Sequence, residues 1–509
     1  MTLEQDSLKT IGRFSIQVFN CIFRCKSDAN IRWNFGIEEM MEDGNFGALD
    51  FECLMCEIEV IFRIFPLNYF EKEDFLDIFA EQNELMRKFM EFLFSDVFDD
   101  SLYRENVYKV ILAKKCLEKG IISENEVREE FIGFSRRNEG KNRHLVLYYL
   151  AFGDLFDEHK GYLEKSENDP IFMKWYSKIH IDCIPDYFKH GYPVNSIQYA
   201  LKYDDIVSLE AIMASPSFDY KALVACSPIE PYSNMMNDLN LLEFAAFYGS
   251  IKCFRRLFID ETLKQNGGFI SSLAIIGGNL DIVNILSCSG ISFGYQVFPA
   301  IKYRRIQIID WIFNNFDIHD SLDKAIIKSV KHRNLYMFER CLNEGTSINA
   351  IYNDYSPLIM ASIKGHSDIV KILLEHPGID VGIRYNSMTS LHWSSALGNL
   401  GVVKVLVNDG RFDINETQGS YFTALHFAAQ NGHSKIVEFL CQNPSCDINS
   451  LTLYNETPLH LALSNLRIEC AEILLHINGV NTSIKNSQNK SVMDIAIEKK
   501  LERIIKLIK

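Results

Sequence analysis

The C-terminal part of the chain repeats one pattern of apolar and polar positions. Four similar stretches begin at Ser356, Thr389, Thr423 and Thr457, at intervals of 33, 34 and 34 residues. In each stretch, apolar and small residues recur at helical spacing, and a second apolar run follows after a polar turn. A period of this size is typical of stacked repeats, which bury their apolar faces only against their neighbours. The pattern therefore predicts a solenoid of regular repeats over residues 351–509, with a polar last helix as its cap.

Each unit predicts two helices joined by a tight turn. A Ser or Thr at the start can accept a hydrogen bond from a free helix amide, and Pro357 and Pro458 follow where a preset φ favours helix initiation. Gly365, Gly398 and Gly432 come after the first helix, because Gly adopts the left-handed conformation there without a Cβ penalty. The turn chemistry thus agrees with the apolar period.

The strings TALHFAAQNGH at 423–433 and TPLHLA at 457–462 resemble the ankyrin repeat. The resemblance implies that His392, His426 and His460 are structural residues that hydrogen-bond between neighbouring repeats. It also implies short β-hairpin fingers between successive helix pairs. In such arrays the fingers and first helices line a concave groove that binds other proteins.

The fold expected for the whole chain is all-α: an ankyrin-type α-solenoid with short β-hairpin fingers, preceded by an α-helical N-terminal domain. Residues 1–190 show helical patterns without the repeat, including capping-box spacing at 123–126. Residues 191–350 show degenerate ankyrin-like units, two of which carry Arg304 and Arg333 where the helix-ending Gly is expected. The helical front and the units at 191–213 and 240–250 are together similar to a large protist family. That family joins an uncharacterised helical region to ankyrin repeats.

Composition and charge narrow the function classes. The formal net charge of −15 argues against nucleic-acid binding, which needs a clustered basic face. No signal peptide and no apolar stretch long enough to cross a membrane is expected. The 13 cysteines are odd in number and lack scaffold-like spacing, so free thiols in a reducing intracellular compartment are expected. This predicts a cytoplasmic location, and the sequence does not separate it from a nuclear one or define an oligomeric state.

Candidate chemistry is sparse. Cys21 and Cys25, with Cys53 and Cys56, have spacings that suggest a zinc site, but they lie in helical patterns without a turn residue, which favours buried thiols. No catalytic set and no phosphate-binding loop stands out. We therefore expect no enzyme activity, no metal and no cofactor.

Aromatic residues mark the segments expected to form the fingers. Such side chains often anchor protein interfaces because they give large contact areas at low entropic cost. Packing between the fingers is the alternative explanation, and the sequence does not decide between the two. The expected partner-binding residues are Tyr352, Tyr355, Tyr385, Tyr421, Phe422 and Tyr454 of the fingers and Gln430 and Asn431 of a first helix.

The function that follows is non-catalytic protein binding, as a scaffold or adaptor that uses the concave groove. Two alternatives concern residues 1–190. In one, the helical front recruits a ubiquitin-ligase-type complex and the repeats select its substrate. In the other, the N-terminal third is an enzyme without a recognisable motif.

Overall fold

The computed structural model describes residues 192–224, 239–258 and 267–508, together with short stretches within 113–128. It divides into two compact units between Phe316 and Asp317, and each unit is described by itself. Residues 192–224, 239–258 and 267–508 contain twenty α-helices and one two-stranded sheet. The prediction of an all-α fold with a helical solenoid is confirmed.

A capping box starts the short helix near residue 124. The Ser123 amide donates to the Glu126 carboxylate at 2.7 Å, and the Glu126 amide donates to the Ser123 hydroxyl at 3.3 Å. Each side chain thus satisfies one amide at the free helix end, as the spacing predicts. Apart from the short stretches within 113–128, residues 1–190 lie outside the described residues, and so do the cysteines of the zinc alternative.

The described part of the first unit, up to Phe316, consists of helix pairs. Consecutive first helices contact one another, as α1 contacts α3 and α3 contacts α5. The short strands β1 (Leu223–Val224) and β2 (Leu239–Asn240) pair antiparallel, with Val224 opposite Leu239. The helices are α1 Ile197–Lys202, α2 Ile206–Met213, α3 Leu241–Tyr248, α4 Ile251–Phe258, α5 Gly267–Gly277, α6 Leu280–Cys288, α7 Val297–Lys302 and α8 Ile306–Asn315.

The second unit, from Asp317 onward, stacks six helix pairs. The first helices of successive pairs contact one another from α9 to α19, and the second helices do so from α12 to α20. The core between the layers is built from buried Leu, Ile, Val and Ala, such as Leu425, Ala428 and Val437. The helices are α9 Leu322–Lys331, α10 Leu335–Asn343, α11 Pro357–Lys364, α12 Ser367–Glu375, α13 Ser390–Ala396, α14 Leu400–Asp409, α15 Ala424–Asn431, α16 Ser434–Cys441, α17 Pro458–Ser464, α18 Ile468–Leu475, α19 Val492–Glu498 and α20 Glu502–Ile508.

A histidine closes the start of three first helices. In α15, the Thr423 amide donates to His426 Nδ1 at 3.1 Å, and the His426 amide donates to the Thr423 hydroxyl at 3.4 Å. The same reciprocal pair forms between Thr389 and His392 in α13. It forms again at the start of α17. The ring takes the place of the Glu in an ordinary capping box, so Nδ1 must be an unprotonated acceptor.

The other ring nitrogen reaches the next repeat. His392 Nε2–H donates to the Glu416 carbonyl at 2.9 Å, and His426 Nε2–H donates to the Glu456 carbonyl at 3.1 Å. Both acceptors belong to the following finger. The third ring, His460, is buried, and its Nε2 makes no such bond within the described residues.

The left-handed residue after the first helix recurs whether or not it is Gly. Gly365, Gly398 and Gly432 have φ of 76°, 81° and 90°, while Arg333 and Leu466 hold the same region at 52° and 58°. A side chain of the next repeat covers this corner: a Cβ on Gly398 would lie 2.7 Å from the His433 ring. The close approach explains why Gly is preferred here, and the Arg and Leu show that the turn keeps its conformation without Gly.

The same covering side chains complete the helix ends. Asn399 Nδ2 donates to the Ser362 carbonyl at 2.8 Å, and His433 Nε2–H donates to the Ala396 carbonyl at 3.0 Å. The last carbonyls of a helix have no partner within the helix. Each repeat therefore satisfies the C-terminal end of the first helix that precedes it.

A second set of bridges links the loops through asparagine. Asn415 Nδ2 donates to the Ser445 carbonyl at 2.6 Å, and its Oδ1 accepts from the Asp447 amide at 2.8 Å. Asn349 and Asn449 make the same pair of bonds to the loops that follow them. Gly382 occupies the equivalent position in the remaining repeat of this series and has no side chain to make them.

The substitution Gly382→Asn should stabilise the stack. The side-chain amide of the new Asn would face the Arg411 carbonyl and the Asp413 backbone amide. Gly382 does not have a left-handed φ, so the backbone would not strain a side chain at this position. We expect the free energy of unfolding to rise by about 1 kcal/mol, from two partly exposed hydrogen bonds and a stiffer unfolded chain. Urea denaturation measures this. Gly382→Ala is the control for the backbone effect, and equal values for the two variants would contradict the bridge.

One ion pair is buried between repeats. The Arg333 guanidinium donates to Asp368 Oδ2 through Nη2 at 2.9 Å and Nε at 3.2 Å, and both side chains are almost fully buried. Asp368 lies in the first turn of α12, where the helix dipole favours a negative charge. Arg333 stands at the helix-ending position of the preceding repeat, so the pair joins two units of the stack.

Candidate functional site

The fingers of the second unit are short reversals of the chain. Tyr352 pairs with Tyr355, and Tyr385 pairs with Met388, each as a single antiparallel bridge. Residues with positive φ make the turns, including Asn353 at 51°. The expected β-hairpin fingers are therefore present as minimal bridges.

Three aromatic side chains stack from the first of these fingers, across the second, to helix α13. The Tyr355 hydroxyl donates to the Tyr385 hydroxyl at 2.9 Å, and the ring centroids lie 4.2 Å apart. Tyr385 also stacks on Trp393 at 5.4 Å, and the indole N–H donates to the Tyr385 carbonyl at 3.1 Å. Tyr352 is half-buried, with the Lys324 ammonium 5.6 Å from its ring centroid. These contacts hold the fingers together, and a role of the rings in binding stays a prediction.

Phe422 is also half-buried. Its ring lies 5.2 Å from Phe427 and 5.6 Å from His426, so it packs on the first helix α15 of its own repeat. On that helix, Asn431 is exposed but donates from Nδ2 to the Ala396 carbonyl at 2.8 Å. The Gln430 carbonyl accepts from Arg467 at 3.2 Å. The expected site residues of this repeat thus include several that support the stack.

The most exposed apolar surface of the fingers lies on two consecutive repeats. Tyr421 is 54% exposed in one finger, and Leu451, Leu453 and Tyr454 are 43%, 58% and 57% exposed in the next. The Leu453 amide donates to the Ser420 carbonyl at 3.0 Å, which brings the two fingers side by side. We call Tyr421, Leu451, Leu453 and Tyr454 the finger-tip patch.

Sequence reasoning named the two tyrosines of this patch and missed its leucines. The signal was present, since Leu451 and Leu453 flank Thr452, which is buried. That alternation is what an extended segment with one outward face produces.

Tyr421 is held in an unfavourable backbone conformation. Its φ is 61°, and the corresponding turn residues of the next two fingers are Asn455 at 55° and Asn489 at 61°. Asn adopts this region readily, whereas a bulky side chain does so at a cost of about 1–3 kcal/mol. An exposed aromatic side chain kept at such a position is more typical of a binding surface than of a loop selected for stability alone.

The backbone under the finger-tip patch is well fixed. The Thr452 amide donates to the Glu456 carbonyl at 3.0 Å, and the Thr452 hydroxyl accepts from the Tyr454 amide at 3.3 Å. The Ser487 amide of the following finger donates to the Tyr454 carbonyl at 2.8 Å. The patch therefore lies on two fingers that are joined through their main chains to each other and to the following finger.

The fingers that carry the patch also contain carboxylates. Asp413 Oδ1 accepts from the Asn415 amide at 2.9 Å, and Asp447 Oδ1 accepts from the Asn449 amide at 3.0 Å. Glu456 follows the patch directly, and partial burial raises the pKa of its carboxyl group. No ion pair of these three carboxylates is found in the described part of the chain.

Other kinds of site receive no support from the described residues. Within 192–224, 239–258 and 267–508, no group of three His, Cys, Asp or Glu side chains is placed to hold a metal ion. The described cysteines, among them Cys441 and Cys446, form no disulfide bonds. The same residues contain no helix with the length and apolar character that crossing a membrane requires.

Stacked pairs of short helices joined by fingers define a helical-repeat protein of the solenoid type. A family model described as ankyrin repeats (3 copies) matches residues 298–385 and 382–452, and one described as ankyrin repeat matches residues 454–487. The C-terminal region of this chain therefore consists of ankyrin repeats, as the sequence predicted. Such repeats generally mediate protein–protein interactions and are typically non-catalytic.

No curated protein matches the chain. The expected resemblance to a protist family with a helical front accordingly stays a prediction, as do the predicted domain limits at 190 and 350.

Proposed function

We propose that this protein is a non-catalytic scaffold or adaptor that captures a protein partner on the fingers and first helices of residues 351–509. The free cysteines among the described residues fit a reducing intracellular compartment. Rigid presentation by the stack keeps the entropic cost of binding low, because little of the surface must be ordered when the partner arrives.

The observation that carries the proposal is the finger-tip patch. Three large side chains, Tyr421, Leu453 and Tyr454, are more than half exposed on adjacent fingers whose backbones are bonded together. Exposed apolar groups gathered at one place on a rigid support mark interaction sites, whereas singly scattered ones do not. The strained φ of Tyr421 adds a second, independent indication.

The test is the triple substitution Tyr421→Ala, Leu453→Ala and Tyr454→Ala in the full chain. Interface anchors cost about 2 kcal/mol or more each when truncated, so affinity should fall by a factor of a hundred or more. Affinity capture from cell extract followed by quantitative mass spectrometry should show the loss of specific partners. Circular dichroism should show an unchanged fold, because these side chains contribute little to the core.

The matched control is Ile497→Ala with Leu507→Ala. Both side chains are exposed apolar groups of the same unit, but they lie in α19 and α20, outside the finger-tip patch. This variant should capture the same partners as the parent chain. If the triple variant also keeps every partner, the finger-tip patch is not the binding surface.

A further inference from the structure

The charges around the finger-tip patch define the kind of partner that fits it. The two fingers that carry the patch, residues 410–423 and 444–457, contain Arg411 and four acidic residues. The acidic residues are Asp413, Glu416, Asp447 and Glu456.

Arg411 and one of the four acidic residues, Glu416, already have partners of opposite charge. Arg411 is held by the Asp409 carboxylate at 2.7 Å and by the Leu374 carbonyl at 2.7 Å, on the side of the second helices. Glu416 is bound by Arg384 of the preceding finger. Three carboxylates remain without an ion-pair partner in the described region, those of Asp413, Asp447 and Glu456.

Two of these carboxylates are fixed in place. Asp413 and Asp447 each accept an amide of their own loop, and Asn415 ties the two loops together through the Asp447 amide. Preorganised charges attract an opposite charge without first having to be ordered, and they act mostly on the rate and the specificity of association.

The finger that follows the patch carries a positive charge. Lys485 is exposed in the following finger, whereas Lys490 of the same finger is bound to Glu498 at 2.6 Å. Along the stack, the two fingers of the patch thus carry carboxylates without ion-pair partners in the described region, and the finger that follows them carries the exposed Lys485.

We propose, building on the proposed function, that the partner is a linear segment in which apolar anchor residues are flanked by Lys or Arg. The apolar anchor residues of the segment pack on Tyr421, Leu453 and Tyr454, and the basic residues of the segment face Asp413 and Asp447. Basic residues on the side of Lys485 are disfavoured, which sets the direction of the bound segment across the fingers.

The experiment is selection of a phage-displayed library of random linear peptides on three forms of the full chain. They are the parent, the Tyr421→Ala, Leu453→Ala and Tyr454→Ala variant, and an Asp413→Asn, Asp447→Asn and Glu456→Gln variant. Asn keeps the oxygen that accepts the loop amide, so the third form removes charge without removing the turns. Binding of the selected peptides is then measured by fluorescence anisotropy at low and physiological salt.

The parent should enrich peptides with apolar residues beside Lys or Arg. The Ala variant should lose them, and the neutralised variant should bind them about tenfold more weakly, with a smaller dependence on salt. Enriched peptides that depend on the Ala positions but are neutral or acidic would overturn the partner class and leave the proposed function standing. Enrichment that is indifferent to the Ala positions, or none at all, would overturn a linear segment as the partner, and the proposed function would then be decided by the affinity capture from cell extract described above.

Discussion

Acidification should destabilise the C-terminal repeats well before the carboxylates titrate. Burial lowers the pKa of His426 to about 4, and burial together with the Arg333 guanidinium lowers the pKa of His366 to about 4. Burial also lowers the pKa of His392 and His460. In the unfolded chain these rings titrate near 6.5, so the unfolded state binds protons first as the pH falls.

These pKa values give the direction of the change in stability and the pH range over which it occurs. Stability is fully present above about pH 6.5, declines as the pH falls, and stops declining near pH 4, where the folded rings also take up protons. Each of the two most shifted rings should lower the free energy of unfolding by about 2 kcal/mol at pH 5. The geometric cause is visible at His426, where a proton on Nδ1 would face the Thr423 amide, which is itself a donor.

Urea denaturation of the full chain, followed by circular dichroism near pH 7 and near pH 5, measures the effect. His426→Gln should lose stability near neutral pH but should show a weaker pH dependence, because one linked proton is gone. The control is His319→Gln, since this side chain is exposed in the same unit and the substitution should leave the slope unchanged. A parent chain with equal stability at both pH values would contradict the burial of neutral rings.

Removal of one partner of the buried ion pair should lower the free energy of unfolding nearly as much as acidification does. Asp368→Ala leaves the Arg333 guanidinium buried without its carboxylate, and such a change typically costs about 3–5 kcal/mol. The loss should be local, since the pair joins the repeat of α9 and α10 to that of α11 and α12. Hydrogen exchange in these four helices measured by mass spectrometry should accelerate more than in α17 and α18.

Two variants separate the buried charge from a general loss of contacts. Glu344→Ala breaks the partly exposed pair with Arg340 in the same region and should cost under about 1 kcal/mol. Arg333→Gly combined with Asp368→Ala removes both charges and restores Gly at a left-handed position. It should therefore be more stable than Asp368→Ala alone. A double variant as unstable as the single one would show that the charge is not the cause.

The sequence predicted those parts of the fold that local chemistry determines. The Ser or Thr start, Pro357, Pro458 and the recurring Gly act within one turn, so their roles can be inferred from spacing alone. The pairing of Arg333 with Asp368 could not be inferred in this way, because the two residues are 35 positions apart and belong to different repeats. The same is true of Asn415, whose partners lie in the following loop.

The candidate site was predicted in part for a similar reason. Aromatic residues were expected in the fingers and occur there, but exposure depends on what the neighbouring finger supplies. Phe422 finds Phe427 and becomes half-buried, while Tyr421, one residue earlier, finds no such cover. The neighbouring side chains, and not the residue type, decide which of these two aromatic side chains is exposed.

The bridging side chains always point from one repeat to the repeat next to it at nearly the same offset. Asn399 and His433 bond carbonyls 37 positions earlier, and Asn415 bonds groups 30 and 32 positions later. A tandem duplication of the gene segment for one unit would therefore copy these bridging side chains along with the helices. Arrays of this construction can lengthen or shorten during evolution by whole units. New binding surfaces can then arise without changes to the contacts between neighbouring repeats.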